Sequence, residues 1–542
     1  MKVSAAIAEI LRREQVDIIF GYPRNAVLEA AAEAGIRPII VRQERTGLHM
    51  ADAMSRLTRG RRMGVFAMQH GPGAENAYGG VAQAWSESVP VLVLPQGYAR
   101  RLAHVPDNYN SVRSMRDVTK AAEPITEPGE TANVLRRAFT QLRNGRLRPV
   151  LVEMPWDMLG DDLPGPLDYR PVVRTRSAPD PAAIRDAAAL LVAAKRPVIY
   201  AGQGVHWAEA YDELKLLAEL LAAPVGTSLE GKSCFDETHP LALGAGGAAV
   251  PGQLRHFLDG ADVIFGIGCS FSETSFGVRM PAGKRIIHAT LDPADLNKSV
   301  ICEQALIGDA QLTLAMLVDA CRDLLGGARD PGPVAQEIAD VEADWMKAWL
   351  PLLTSDETPL NPYRVLWELQ QAVDKANTII THDAGSPRDQ LSPFWKTTAP
   401  LTYLGWGKST QLGYGLGLTM GAKLACPDKL CINVWGDAAI GFTGMDFETA
   451  VRERIPILSI LLNNSAMAVE LDQMPIATKR YRSTDISGDY AALARALGGE
   501  GERVTEPGEI AAAIRRGIEA VEAGRPTLIE FITSREKRAS RL

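Results

Sequence analysis

A repeated rhythm constrains this chain more than any other feature. Short apolar runs end in polar residues or glycine and alternate with stretches of helical spacing. VDIIFGYP (16–23), RPIIVRQE (37–44), RMGVFAMQ (62–69) and VPVLVLPQG (89–97) are the first such runs. Between them, RTGLHMADAMSRLTRG (45–60) places Leu48, Ala51 and Leu57 on one helical side, and HGPGAENAYGGVAQAW (70–85) turns into a helix. Short, continuously apolar runs read as strands buried on both faces. Alternation of strand and helix predicts right-handed βαβ units around a parallel sheet. RPVLVEMP (148–155) reads as the last strand of this first unit.

The rhythm recurs after each of two loose segments. The stretch 160–183 (GDDLPGPLDYRPVVRTRSAPDPAA) is rich in proline and charge and reads as an extended linker. Beyond it come RPVIYAGQG (196–204), a helix at 208–222, ADVIFGIGC (261–269), RIIHATLD (285–292) and a closing helix near 310–325. A second loose stretch, GGARDPGPVA (326–335), precedes a unit that begins near Leu360 and holds ANTIITHDAG, KLCINVWGDA, IPILSILLNN and RPTLIEFIT. At 542 residues the chain is too long for one hydrophobic core. The expected fold is therefore α/β, with three doubly wound parallel-sheet domains at 1–165, 180–330 and 355–535.

Composition removes several function classes. A formal charge of −7 offers no basic face for nucleic acid. No run approaches the ~18 apolar residues that span a bilayer. The opening MKVSAAIAEILRREQVDIIF has charges at helical spacing and no cleavage-site pattern, unlike a signal peptide. Six cysteines, none in a C-x-x-C pair, read as reduced thiols. The expectation is a cytoplasmic protein without nucleic-acid or membrane partners.

The third unit carries the chemistry. KLCINVW reads as a buried parallel strand, which puts Asp437 just past its C-terminal end. IPILSILL is the next strand, and Asn463 and Asn464 follow it; a helix from Thr443 to Glu453 connects the two. Ligand crevices of open parallel sheets lie beyond the C-terminal strand ends. Asp437 and Asn464, 27 residues apart, are therefore expected side by side. A carboxylate and an amide oxygen suit Mg²⁺ or Ca²⁺, with diphosphate oxygens and water completing the shell. The small residues Gly436, Ala438 and Ala439 leave room for backbone N–H groups to approach phosphate at a helix start. In isolation Asp437 reads as a helix cap; its pairing with a double asparagine at matched strand ends favours the ligand instead.

GDA followed at that distance by NN resembles the cofactor motif of thiamine diphosphate enzymes, usually GDG…NN. The acetolactate synthase and oxalyl-CoA decarboxylase branches, relatives of the pyruvate decarboxylases, often carry GDA or GDS. RQERTGLHMADAMSRLTRG resembles the segment holding the family's activating glutamate, which falls on Glu44. QHGPGAENAYGG resembles its S-G-P-G-x-x-N loop, with Gly73 and Asn76 in place. FGYP resembles its first cofactor-facing loop, with Pro23. QLGYGLGLTMGA resembles the segment whose apolar residue wedges between the cofactor rings, here Leu412. The resemblance spans nearly the whole chain, in the order pyrimidine-binding, central and diphosphate-binding domain.

The resemblance implies that Glu44 hydrogen-bonds the pyrimidine ring nitrogen so that the ring can take the thiazolium C2 proton. It implies Mg²⁺ held by Asp437, Asn464 and the Ala466 carbonyl, and a homodimer or homotetramer with sites at the subunit interface. The pattern also departs from the family. Ala53 replaces a glycine, His70 a serine, and Arg24-Asn25 a Gly-Gly or Gly-Ser pair. Thr410 stands where a glycine carbonyl often receives the pyrimidine amine, and Ser386-Pro387 stand where Gln-His is found; Ser386 or its backbone is the expected phosphate contact. Arg24, Asn25, Gln69 and His70 become candidate substrate residues. Glu470 lies six residues after Asn464, where pyruvate decarboxylases carry a catalytic glutamate, and reads equally as a solvent-facing side chain.

GIGCSFSETSFG lacks the Arg-Phe-Asp-Asp-Arg signature of acetolactate synthases, which argues against FAD in the central domain; ADP is the other family ligand there. GFTGMDFETAVR is nearer the matching segment of oxalyl-CoA decarboxylases and 2-hydroxyacyl-CoA lyases. The basic tail SREKRASRL could lie over a CoA phosphate or fray into solvent. The leading expectation is decarboxylation of a 2-oxo acid with carboligation, acetolactate synthase-like. The alternatives are acyl-CoA chemistry and a catalytically silent cofactor-binding subunit.

Overall fold

The structure, a computed structural model, describes residues 1–541. It contains three six-stranded sheets in which every strand pair is parallel. The first holds β1 (Ile18–Gly21), β2 (Arg37–Ile40), β3 (Gly64–Met68), β4 (Val91–Gly97), β5 (Ala121–Pro124) and β6 (Val150–Pro155). The second holds β7 (Pro197–Ala201), β8 (Val225–Ser228), β9 (Ala242–Gly246), β10 (Val263–Ile267), β11 (Arg285–Thr290) and β12 (Gln304–Ile307). The third holds β13 (Thr378–His382), β14 (Tyr403–Leu404), β15 (Leu430–Gly436), β16 (Leu458–Asn463), β17 (Glu500–Val504) and β18 (Thr527–Ile532). The expected α/β class with three parallel sheets is the observed one.

The outer sheets share one topology. Their orders, β2-β1-β3-β4-β6-β5 and β14-β13-β15-β16-β18-β17, are the same when strands are numbered within each sheet. The middle sheet runs β9-β8-β7-β10-β11-β12, the 3-2-1-4-5-6 order of a dinucleotide-type fold. A large cavity opens at its reversal point between β7 and β10, lined by Gly202, Gly204, Gly268 and Asp292 among others.

The outer domains pack through equivalent helices. Glu44–Leu57 follows β2, and Tyr414–Ala425 follows β14. Missing side chains permit the close approach: a Cβ on Gly417 would lie 2.4 Å from His49 Cβ, and one on Gly421 2.4 Å from the Met50 carbonyl. Ala53 faces Gly421, where a Cβ would lie 2.9 Å from the Ala53 Cβ. A buried polar cluster fixes the register. The Arg56 guanidinium donates to Asp52 at 2.7 Å and to the Gly405 carbonyl at 2.8 Å, and Tyr414 OH donates to Asp52 at 2.6 Å. Removing one member of a buried ion pair strands the other charge. Asp52→Ala is expected to destabilise the protein by roughly 3–5 kcal/mol in denaturant unfolding, with Asp52→Asn costing less. A loss below about 1 kcal/mol for Asp52→Ala would show the cluster to be dispensable.

Local differences from the sequence reading have physical causes. The helix expected over 208–222 is split into Gly204–Ala208 and Tyr211–Leu221, with Glu209 in the left-handed region at φ 56°. The helix expected from Thr443 to Glu453 begins at Asp437 itself and is broken by a 3₁₀ turn at Gly444–Asp446. The basic tail is ordered against the body. Val250 N–H donates to the Ser540 carbonyl at 2.7 Å, Tyr363 OH to the Arg538 carbonyl at 2.6 Å, and Arg538 lies 4.3 Å over Trp349. Among the described residues no helix is long and apolar enough to cross a membrane.

Candidate active site

The pyrimidine-side residues sit beyond β2 and β3. After β2 the chain runs extended through Gln43, and Glu44 is the first residue of the helix. After β3 comes the Gln69-His70-Gly71 turn, with Gly71 at φ 59° and Pro72 opening the next helix. That turn brings Gly73 against Glu44: a Cβ there would lie 2.9 Å from Gln69 Cγ and 3.4 Å from Glu44 Oε1. Burial raises the Glu44 pKa, and the charge of Asp446 adds to the rise. Hydrogen bonds from its own N–H and from Asn76 oppose it. The result is a carboxyl suited to sharing a proton with a ring nitrogen.

Arg24 and His70 lie close together on the same side. Arg24 has φ 78°. Burial first, then the Arg24 charge, lowers the His70 pKa, so the imidazole is neutral. Its ring packs edge-on to Tyr98 at 4.6 Å, and its buried Nδ1 has no hydrogen-bond partner. Asn25 is a correction. Its side chain caps the helix Ala26–Glu33 by accepting from Val27 N–H at 3.1 Å, and its amide donates to the Met68 and Leu94 carbonyls at 2.9 and 3.1 Å. Both amide donors are spent on the fold, so Asn25 is a structural residue. Pro23 is exposed in the loop after β1.

The diphosphate-side residues meet beyond β15 and β16. Gly436 is paired in register with Leu462, so the residues that follow these strands emerge side by side. One backbone N–H, that of Ala466, donates to Asp437 Oδ2 at 3.2 Å and to Asn464 Oδ1 at 3.1 Å. Asp437 Oδ1 accepts from Ala438 N–H at 2.9 Å. Two hard oxygens thus converge on one point, and burial raises the Asp437 pKa against the backbone N–H bonds it accepts. Ala439 is buried in the same helix. Asn463, by contrast, points into the domain and donates to buried Glu530 at 2.7 Å. Ser386 opens the helix Ser386–Leu391, whose Pro387 approaches Gly436.

Leu412 sits in a turn held from both sides. Asp383, fully buried after β13, accepts from Gly413 and Gly415 N–H at 2.9 and 3.0 Å; burial pushes its pKa up to about 7 against these bonds. Gly413 has φ 86°, and a Cβ there would meet Phe442 Cβ at 2.8 Å. Thr443 Oγ1 donates to the Gly413 carbonyl at 2.8 Å, tying the turn to the helix that begins at Asp437. Just upstream of Thr410, Glu87 of the first domain accepts from Lys408, Ser409 and Gly407 N–H at 2.9, 3.2 and 3.3 Å. Burial and the Glu230 charge push the Glu87 pKa up to about 7. Sequence reasoning did not single out Asp383, Glu87 or Arg535. The Arg535 guanidinium donates to the Asn464 and Ser465 carbonyls, each at 3.2 Å. None of the three carries a local signal, because each acts on a segment distant in sequence.

The structure thus forms two groups. Glu44, Gly73, Asn76, Gln69, His70 and Arg24 belong to one; Gly436, Asp437, Ala438, Asn464 and Ala466, with the Leu412 turn, belong to the other. Among the described residues no hydrogen bond joins Glu44 to Asp437 or Asn464 within the chain. Glu470 joins neither; it is exposed in a 3₁₀ turn.

The residues suit thiamine diphosphate on two grounds, the Gly73 cradle beside a raised carboxyl and the converging hard oxygens. Family comparisons agree. Residues 1–120 match the thiamine pyrophosphate enzyme N-terminal TPP binding domain, 184–317 the central domain and 383–531 the C-terminal TPP binding domain. The chain is 30% identical to a probable acetolactate synthase large subunit of Methanocaldococcus jannaschii, over 98% of this chain and 92% of the relative. It is 30% identical to that of Methanococcus aeolicus over the same shares, and 28% identical to acetolactate synthase isozyme 3 large subunit of Escherichia coli over 96% and 94%. Three matched domains in order and a full-length likeness make this chain a member of the acetolactate synthase-like family of thiamine diphosphate-dependent enzymes.

Proposed function

We propose that this enzyme decarboxylates a 2-oxo acid and joins the retained fragment to a second carbonyl compound, in the manner of the acetolactate synthases it resembles. The observation that carries the reading is Glu44, a buried carboxyl of raised pKa at a helix start, beside Gly73 and Asn76. Bound thiamine diphosphate supplies a stabilised carbanion next to the reacting carbonyl. The chain's own residues bind and orient it. Glu44 holds and returns a proton at its Oε atoms. Leu412, in a turn tied to Asp383 and Thr443, would lie against the cofactor rings. Asp437, Asn464 and the Ala466 carbonyl hold Mg²⁺, and Gly436, Ala438, Ala439 and Ser386 line the diphosphate. Thr410 offers its carbonyl to the pyrimidine amine, and Pro23 lines the loop above it. His70, neutral and with a free buried nitrogen, and Arg24 face the substrate carboxylate, with Gln69 beside them.

The functional units are 1–165, 180–330 and 355–535. The two residue groups are complementary rather than joined, which supports a homodimer or homotetramer whose sites pair one subunit's first domain with another's third. The exposed apolar residues Phe442, Met445, Val469 and Ile476, on the segment that follows Asp437, support the same assembly. The cavity at the reversal point of the middle sheet has the position of a nucleotide site, but the missing signature argues against FAD; a colourless purified protein is expected, and a yellow one would restore the flavin. Six free thiols, four of them buried, support a cytoplasmic setting.

Acyl-CoA chemistry rests on the GFTGMDFETAVR segment alone, because the basic tail is bonded to both the central and the third domain. A panel of 2-oxo acids, oxalyl-CoA and 2-hydroxyacyl-CoA esters, assayed with Mg²⁺ and thiamine diphosphate for CO₂ release and ligated product, tests the reading. CO₂ release from a 2-oxo acid with a new C–C bond is expected. Turnover confined to CoA esters would replace it. Cofactor binding with no turnover of any member would favour the silent subunit.

A further inference from the structure

A second cavity, of about 280 Å³, lies where the middle domain, the helix Gly332–Leu353 and the third domain meet. Its residues take no part in the cofactor groups described above. The floor is a buried ion pair: Lys232 Nζ donates to both oxygens of Glu237 at 2.7 Å, and Thr397 N–H donates to Glu237 at 2.8 Å. The walls are aromatic. Trp345, Trp367 and Trp395 line the space. Trp345 stacks on Phe394 at 4.8 Å between ring centroids, and its indole N–H donates to Ser540 Oγ at 3.0 Å, which fixes the ring.

The charges around this space do not cancel. Lys232 is balanced by Glu237 and Lys396 by Glu342. Lys375 also lines the cavity, close enough to Lys396 and Glu237 to feel both charges, and is half-buried. Among the described residues no carboxylate lies within ion-pair distance of it. One positive charge is therefore left over. A second unmet group accompanies it. Gln253 lines the cavity and is 4% exposed, and its buried Oε1 has no hydrogen-bond partner. A buried carbonyl oxygen without a partner is unusual in a folded protein and points to an absent donor.

We propose that this cavity is a binding site for a small organic monoanion with an aromatic body and one hydrogen-bond donor. The carboxylate meets Lys375, the body lies against Trp345 and Trp367, and the donor reaches Gln253 Oε1. Aromatic walls with polar groups converging on the same space are features of small-molecule sites, and both are present here. A dianion is disfavoured, because its second charge would face Glu237 or Glu342. The ammonium is only partly withdrawn from water, so affinity falls with added salt.

The test is a titration of para-hydroxyphenylacetate into the full chain, saturated with thiamine diphosphate and Mg²⁺, followed by tryptophan fluorescence and calorimetry. Saturable quenching at millimolar concentration or below is expected. The primary amide of the same compound, which lacks the charge, and phenylacetate, which lacks the donor, are each expected to bind about tenfold more weakly. Lys375→Met is expected to weaken the acid to the level of the amide, while Lys375→Arg retains it. Trp345→Phe with Trp367→Phe is expected to remove the quench. Equal affinity for acid and amide, no saturation, or a quench unchanged in Lys375→Met or in the double tryptophan variant would each overturn the site. Melting temperatures of the variants near that of the parent establish that the comparison is between folded proteins.

Discussion

Replacing Glu44 with glutamine leaves thiamine diphosphate bound and slows exchange of the cofactor C2 proton, and turnover with it, by about 10²–10⁴-fold, the usual contribution of a positioned acid–base group. The surroundings of the carboxyl suit proton sharing. Gly73 is stripped to a hydrogen beside it, and burial keeps its pKa above the ordinary 4.5. Glutamine keeps the shape and the Asn76 neighbour but cannot take the proton. Linkage supplies a second readout. A raised carboxyl pKa contributes stability below the unfolded value, and that contribution is lost as pH rises through the folded value. The glutamine variant lacks this loss. It should therefore gain stability relative to the parent on going from acidic to mildly alkaline pH. Unchanged proton exchange would remove Glu44 from the mechanism, and a variant that melts lower at alkaline pH would recast it as a structural residue.

The second large effect falls on Asp437. Losing an outer partner of a metal ligand typically costs 10–100-fold in affinity, so losing the only carboxylate ligand is expected to exceed about 10²-fold. Asp437→Ala should weaken Mg²⁺-dependent thiamine diphosphate binding by at least that much in calorimetry, with the fold intact. Asn464→Ala should follow it more mildly, because an amide oxygen carries no full charge. Asn463→Ala separates ligation from folding. It removes one donor to buried Glu530, whose oxygens keep those of Arg503 and Ala491, and should destabilise the domain by about 1 kcal/mol without a specific loss of metal dependence. Equal cofactor affinity in Asp437→Ala and the parent would refute the clamp.

Where the strand pattern was legible and where it was not follows from position in the sheets. β1, β3, β4, β7, β10, β13, β15, β16 and β18 are covered on both faces and read as apolar runs. The strands that escaped are mostly sheet margins. β5 (AAEP) and β17 (EGERV) are partly exposed edges, β14 has only two residues, and β8 and β9 are interrupted by glycine. An edge strand is half solvated, so its sequence need not be apolar. The residues that reach across domains were equally hidden. Glu87 holds a loop more than 300 residues away, and Arg535 holds one about 70 residues away. Tertiary contacts of this kind leave no periodicity behind.

The amino-acid sequence alone determined that Asp437 and Asn464 close two strands, because an apolar run and its polar end are local features. It also determined the order of the three units and the motifs that mark the family. Only the tertiary structure decided which of the paired asparagines is free, since Asn463 is claimed by Glu530 and Asn464 is not. It alone decided that Asn25 is a cap, that His70 keeps an unpaired nitrogen beside Arg24, and that Glu44, Asp383, Glu87 and Asp437 are among the carboxyls pushed upward. A pKa or a spare hydrogen bond is set by every group that surrounds an atom, and those groups are assembled by folding from all parts of the chain.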